Sequence, residues 1–456
     1  MLYHSLMADE GKNKRVSLKK VLGVFDGVAI LIGIAIGAGI YSTPQIIAGY
    51  LGSFKPILLL WLLAGVFVFI SGLIYAELGT RLPNTGGEYV YISRCFGPYA
   101  GFIFGWAQLF IIRTYAAAGL ALIAADYLGY FVELNKFSKL LTALAVIILF
   151  GLLNYVGIHR ASLFQKLSTV LKVGGLLSIV VIGFIFSGGQ ENLLGSTAPV
   201  EGNLGPIGSV VAAMMLIIFS HTGWERIGYS AGEMKNPKRV IPLSLIIGII
   251  LIVLLYALTN MTYHRTLGMQ GMRESTIVAS DVMTLLIGPI GAAYIAVLVI
   301  ISTTGSINGT MMTATRVYYA MARDGLFFNW LDFIHPRFRT PSRAVVVHCV
   351  WAGAILFLRG TFEAIASGMV FAILIFYGLS TLSLFKMRKE NMGGPDIFRV
   401  PLYPVLPILS LVMIIGLIVL RAVFEWQKSL FDLLFIATGI PFAIYWVNKK
   451  RSGPAI

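Results

Sequence analysis

Two stretches decide the fold: GVAILIGIAIGAGIYSTP, residues 27–44, and MLIIFSHTGWERIGYSAGEMKNP, residues 215–237. Each opens as an apolar run suited to a membrane, and each is interrupted. In the first, Gly33, Gly37 and Gly39 cluster at the centre and Pro44 follows. In the second, the centre from Ser220 to Gly223 is polar and contains glycine, so it resists a continuous helix. Irregular backbone inside a membrane is tolerated only where it is buried in protein or lines a cavity. Gly33 and Gly37, four residues apart, also suit close packing of one helix on another. A second interruption at a corresponding place favours a binding site over packing alone.

Working outward, a helix that crosses a hydrocarbon core of about 30 Å needs about 20 apolar residues. Such runs fall near 24–50, 57–79, 97–130, 138–156, 164–187, 207–231, 241–263, 284–320, 343–360, 363–386, 403–424 and 430–447. The interruptions therefore lie in the first and sixth of twelve spans. A repeat unit with an odd number of spans turns its second copy upside down in the membrane. Interrupted segments at matching positions of two halves point to a transporter site. The expectation is an all-α polytopic membrane protein with a five-plus-five inverted repeat and two extra helices. Its parts are a cytoplasmic tail at 1–20, a single transmembrane domain at 21–450 and a cytoplasmic tail at 449–456. Within the domain the repeats cover about 21–187 and 205–387, and the extra helices about 400–448.

Composition agrees. Of 456 residues, 57% are hydrophobic and 12% charged, against about 25% charged in an average soluble protein. Mean hydropathy is +0.84. A soluble globule, a disordered chain and a coiled coil are all excluded. The net charge of +15 forms no single basic patch and implies no nucleic-acid partner. About 23 of the 35 basic residues fall in segments on the side of the N-terminus and about 8 on the other, which places both termini inside. The two cysteines, Cys95 and Cys349, build no disulfide framework. The N-terminal stretch lacks the short apolar core of a signal peptide. The only other partner this composition requires is the lipid bilayer.

Broken helices suit a zwitterion, whose two charges are costly to bury. N–H groups freed at a half-helix start hold a carboxylate. Carbonyls freed at the end of the other half accept an ammonium. Gly37, Ala38 and Gly39 are therefore the carboxylate candidates, and Ala35 and Ile36 before them are further substrate-binding candidates. The carbonyls of Phe219, Ser220 and Thr222, beside Gly223, are the amine candidates. No cofactor or metal is expected, because the six histidines are scattered without ligand spacing.

Several motifs, in order, resemble the amino acid–polyamine–organocation superfamily. They are Ile36-Gly37-Ala38-Gly39-Ile40-Tyr41; Tyr75-Ala76-Glu77-Leu78-Gly79 with Pro83, Gly86, Gly87 and Tyr89; Gly223-Trp224 with Glu233, Asn236 and Pro237; Ser306-Ile307-Asn308-Gly309; Ala322-Arg323-Asp324-Gly325; and Tyr403-Pro404. The stretch IIRTYAAAGLALIAADYL at 111–128 is most similar to the L-type amino acid transporter branch. The resemblance covers about 18–445. It implies alternating access, an amino acid substrate and sodium-independent exchange with neutral amino acids preferred, in a plasma membrane, here a prokaryotic inner membrane. A proton-coupled permease for cationic amino acids or polyamines is the alternative. A channel or receptor is the alternative of another class, but no filter or charge ring repeats along the chain, and no nucleophile–base arrangement suggests an enzyme.

The chain departs from the branch's usual pattern at Ala38, at Thr114 and across His221-Thr222-Gly223-Trp224-Glu225, which bears on the substrate's side chain. Segment 131–137 holds no cysteine, where animal relatives carry one that bonds a partner subunit, so no disulfide-linked subunit is expected. The oligomeric state stays open.

Ionisable residues inside spans carry function by default. Lys172 lies about nine residues into the fifth span, roughly 13 Å along a helix, which is far for snorkelling to the surface. The resemblance places it beside the first break, where sodium-coupled relatives hold an ion. Its ammonium could take that ion's place or carry a proton. Glu225 and His221 are selectivity candidates, each with a structural alternative in a local ion pair or hydrogen bond. Arg113 is expected to pair with an acid or to cap carbonyls inside the bundle, with direct substrate contact as the alternative. Glu77 and Arg316 are expected in inner-end ion pairs. Phe219 and Trp224 flank the second break and are gate candidates.

Overall fold

In hydrocarbon a backbone has no water to bond, so each apolar run closes its hydrogen bonds within itself as a helix. The structure, a computed structural model, describes residues 22–452 apart from 85, 157, 187–203 and 339. The expected tail at 1–20 and the last residues of the tail at 449–456 lie outside the described residues.

Among the described residues, twelve helical segments are long and apolar enough to cross a membrane. Spans 1 to 6 are Val24–Ser42, Phe54–Arg81, Pro98–Leu128, Lys136–Val156, Leu167–Phe186 and Gly205–Tyr229. Spans 7 to 12 are Pro237–Glu274, Pro289–Arg323, Ser342–Arg359, Phe362–Lys389, Val405–Phe424 and Trp426–Lys450. The number is the one expected and the boundaries differ. Span 1 stops at Ser42, and a separate helix, Pro44–Tyr50, follows. Pro44 has no N–H to continue the turn and disfavours helix at the residue before it. Span 7 starts earlier than the apolar run, because Pro237 suits the first helical position while Lys238 and Arg239 can stand beyond the hydrocarbon.

Span 1 packs against span 6, span 2 along span 7 and span 3 along span 8. In each pair the partner is five spans further on. Short helices follow the same interval: Glu88–Phe96 comes after span 2 and Val278–Ile287 after span 7. Spans 3 and 6 are the most buried, and spans 11 and 12 the least. Exposed Val412, Ile415 and Val419 on span 11 give it a lipid-facing side.

A buried polar cluster fastens the last two spans. The Arg421 guanidinium of span 11, fully buried, donates to Asp432 of span 12 at 2.8 Å and to the Ser367 hydroxyl of span 10 at 2.9 Å. Arg359 of span 9 also pairs with Asp432. At the end of the molecule that carries the chain termini, buried Glu77 accepts from Arg81 and Arg388 at 2.8 Å each and from the Val400 N–H at 2.7 Å. Glu77 thus ties span 2 to span 10, in the kind of ion pair expected of it.

Candidate functional site

Span 1 breaks where its glycines cluster. The helix Val24–Ala35 ends, Ile36 leaves helical geometry with ψ at 87°, and a single turn, Gly39–Ser42, restarts. A helix start leaves N–H groups without intrahelical acceptors. Span 6 breaks at Thr222, which is extended, and Gly223, whose φ of +119° favours glycine. A tighter 3-10 stretch, Trp224–Glu233, follows.

The two breaks touch. A Cβ added to Gly39 would lie 2.5 Å from Ser220 Cα, so only glycine permits this approach. Thr43 and Ser220 hydroxyls meet at 3.1 Å across the same seam. The Tyr256 hydroxyl of span 7 reaches Ala35 O at 3.0 Å and Ser220 O at 3.1 Å. One O–H thus serves two carbonyls, one from each broken helix. Ala35 O also accepts the Gly37 N–H at 2.8 Å. Phe219 O is already occupied by the N–H and the hydroxyl of Thr222, at 3.1 and 2.8 Å. Ser220 O is therefore the least supplied of these carbonyls.

Lys172 of span 5 is fully buried beside the first break. Its Nζ donates to Gly33 O at 3.1 Å and to the Ser306 hydroxyl of span 8 at 2.7 Å. An ammonium is thereby placed on a carbonyl of the last helical turns before the break.

Between the breaks lies a cavity of about 30 Å³, room for about one water molecule. Ala35, Gly37, Ala38, Gly39, Phe219, Ser220 and Thr222 line it on the break side. Ile34 of span 1, Ala116 and Leu120 of span 3, Ser306 and Thr310 of span 8, Met369 of span 10 and Arg226 complete the wall. A ligand larger than water fits this space only after its walls part. Above it, Phe219 packs edge-on against Phe362, with ring centroids 5.3 Å apart. On the other side of the break, Trp224 packs on Tyr75 at 4.9 Å and on Tyr377 at 5.3 Å.

Behind the cavity wall sits a buried charge cluster. Glu225 Oε2 accepts the Gly223 N–H at 2.8 Å and the Tyr377 hydroxyl at 3.2 Å. Its Oε1 lies 3.6 Å from both Arg113 and Arg226. Arg113 follows directly on a π-helical turn, Gln108–Ile112, a distortion that recurs at functional sites. Glu88, on the short helix after span 2, is buried and accepts from Tyr75 at 2.8 Å and Tyr229 at 3.1 Å. Burial, and then the charge of Glu225, push the Glu88 carboxyl up to about 7.

Several sequence candidates converge here and others do not. Ala35, Gly37, Ala38, Gly39, Phe219, Ser220 and Thr222 share one cavity wall. Ile36 and Gly223 form the breaks themselves. Glu225 does not line the cavity and is held behind it by Arg113, Arg226, Gly223 and Tyr377. His221 also points elsewhere: its Nδ1 bonds Ile217 O at 2.9 Å, and its ring lies 5.1 Å from that of Tyr256. Sequence reasoning gave no part to Tyr256, Thr310 or Glu88. The position of Glu88 directly after Gly86 and Gly87 was the available signal for the last.

Comparison with known proteins bears on the same residues. The family model described as "Amino acid permease" matches residues 22–442, nearly the whole described chain. The chain belongs to this amino acid permease family. The permease is 30% identical over 442 residues to a serine/threonine exchanger of Bacillus subtilis (strain 168), covering 95% of this chain and 98% of the relative. It is 29% identical to the human b(0,+)-type amino acid transporter 1, over 96% of this chain and 90% of the relative. It is also 29% identical to the human cystine/glutamate transporter, over 96% and 88%. These relatives agree with placement in the amino acid–polyamine–organocation superfamily, near the L-type branch.

Proposed function

We propose that this permease is a secondary active transporter that exchanges amino acids by alternating access, without sodium. The observation that carries the reading is the meeting of two helix breaks at one cavity, with N–H groups on one side and Ser220 O, an under-supplied carbonyl, on the other. The α-carboxylate sits on the restart of span 1 and the α-ammonium on the end of the first half of span 6. Lys172 supplies beside Gly33 an ammonium where a coupling sodium would bring its charge. The names of the relatives support exchange: one is a serine/threonine exchanger.

In this reading the inverted repeat comprises spans 1–5 and 6–10. The pairing of spans five apart and the matching short helices support it. Phe219 gates one side, and Trp224 with Tyr75 and Tyr377 gates the other. Both termini are cytoplasmic, the membrane is a prokaryotic inner membrane, and the chain works without a disulfide-linked subunit and without catalysing a reaction. The alternative of a permease for cationic substrates fares worse, because the charged side chain on the cavity wall is Arg226.

The test is reconstitution in liposomes. Uptake of labelled amino acid that requires an internal amino acid is the expected result. Uptake into empty vesicles driven by a pH gradient would overturn exchange in favour of proton coupling.

A further inference from the structure

The charged side chain that reaches the cavity is Arg226. Its guanidinium is buried, and its Nη1 donates to the Thr310 hydroxyl of span 8 at 3.1 Å. Its Nε makes no hydrogen bond among the described residues and approaches Glu225 Oε1 only to 3.6 Å. Charge-assisted N–H···O bonds close to about 2.7–2.9 Å, so Glu225 does not use up this donor. Glu225 is also shared, because Arg113 stands at the same distance from the same oxygen. Three basic side chains stand around the cavity, Arg113 and Arg226 against Glu225 and Lys172 on Ser306 of the cavity wall, with Glu225 and the more distant Glu88 as the two carboxylates. A neutral amino acid leaves that excess as it is, a cationic one enlarges it, and an acidic one cancels it.

The ends of the substrate fix where its side chain goes. If the carboxylate lies at Gly37–Gly39 and the ammonium at Ser220 O, the wall away from the breaks includes Ala116, Leu120, Ser306, Thr310, Met369 and Arg226. A guanidinium with an unbonded Nε–H, beside the Thr310 hydroxyl and sharing its wall with the Ser306 hydroxyl, has the planar fork geometry that matches a carboxylate. Small and flexible neighbours, Ala116 and Met369, leave space for a short chain.

We propose that Arg226, with Thr310 and Ser306, forms an anion subsite for the substrate's side chain, and that the permease takes acidic amino acids, aspartate or glutamate, in preference to their amides. This rests on the exchange reading above and replaces the neutral preference implied by the resemblance. The negative charge of the side chain meets the guanidinium, and the hydroxyls of Thr310 and Ser306 donate to its remaining oxygen sites. A site built to bond a polar group rejects the ligand that lacks it, because its own buried groups are then left unpaired.

The experiment is competition against labelled L-serine exchange in proteoliposomes, with L-glutamate, L-glutamine, L-aspartate and L-asparagine as competitors. In the wild type each acid should compete at a concentration at least tenfold below that of its amide. In Arg226→Gln this ratio should collapse to about one or invert. Because it is a ratio within one protein, a general loss of turnover does not move it. If Arg226→Gln does not fold, Thr310→Val, which releases the guanidinium without removing it, should lower the same ratio severalfold. Exchange of neutral amino acids with no preference for acids overturns the anion subsite and leaves the transport reading standing. Exchange of no amino acid at all overturns the transport reading itself.

Discussion

Glu88 gives the protein a pH response whose sign and size follow from its surroundings. The carboxyl is buried on the helix Glu88–Phe96. Tyr75 of span 2 and Tyr229 of span 6 donate to it. Glu225 of span 6 and Arg113 of span 3 also face it, and it in turn acts on Tyr377 of span 10 and on Tyr91 of its own helix. Burial and then Glu225 raise it from 4.5 to about 7, outweighing the opposing effects of Tyr75, Arg113 and Tyr229. When this end of the molecule opens to water, the pKa returns toward about 4.3. Between these values the closed form holds a proton that the open form lacks. The closed form is therefore favoured as pH falls. That advantage is complete below about 4.5 and is lost as pH rises through about 7. Across the full window it is about 3 kcal/mol; between pH 7.5 and 5.5 the closed-to-open ratio should rise about twentyfold.

The chain carries its own reporter. Cys95 lies on the same helix, 3% exposed, with its thiol against Ser383 O at 3.7 Å. In a Cys349→Ala background, the rate of maleimide labelling at Cys95 reads opening. Glu88→Gln has the same thiol and cannot ionise, so the ratio of the two rates at each pH removes the thiol's own titration. That ratio should change about twentyfold over the two pH units. A flat ratio would refute the reasoning.

Lys172→Ala leaves Gly33 O and the Ser306 hydroxyl without their donor, at about 1–3 kcal/mol for each; exchange should fall at least tenfold, and wild-type kinetics would remove Lys172 from the mechanism. Gly39→Ala drives a methyl against Ser220 Cα, so the breaks should separate at a cost of about 1–3 kcal/mol. Amino acids should then no longer raise its melting temperature, and unchanged stabilisation would show that the seam is not the site. Glu225→Gln leaves Arg113 and Arg226 without their shared carboxylate, which should destabilise the protein by about 3–5 kcal/mol. The order of competing amino acids should hold, whereas an altered order would put Glu225 on the cavity wall.

Much of this was readable in the chain, for definite reasons. Runs of about 20 apolar residues have one structural use, so the spans and their number follow from hydropathy. The ends of spans 1 and 7 did not follow, because Pro44 stops a helix inside an apolar run while Pro237 starts one outside it. The breaks were visible because glycine and polar residues in mid-membrane need a reason. The assignment of Glu225 against Arg226 was not. In a 3-10 stretch of three residues per turn, adjacent side chains point about 120° apart, and composition does not say which faces the cavity. His221 escaped in the same way: its ring follows the last helical turn back to Ile217 O.

The Tyr256 hydroxyl, shared between Ala35 O and Ser220 O, sets a stoichiometry. A phenol has one proton to give. When that proton turns to Ala35 O, Ser220 O faces the cavity with its lone pairs unclaimed. On the exchange reading proposed above, an arriving ammonium supplies the one missing donor in one step. The demand is for a single N–H, so a mono- or dimethylated ammonium still meets it. A fully methylated amine brings none and is no ligand for Ser220 O at all.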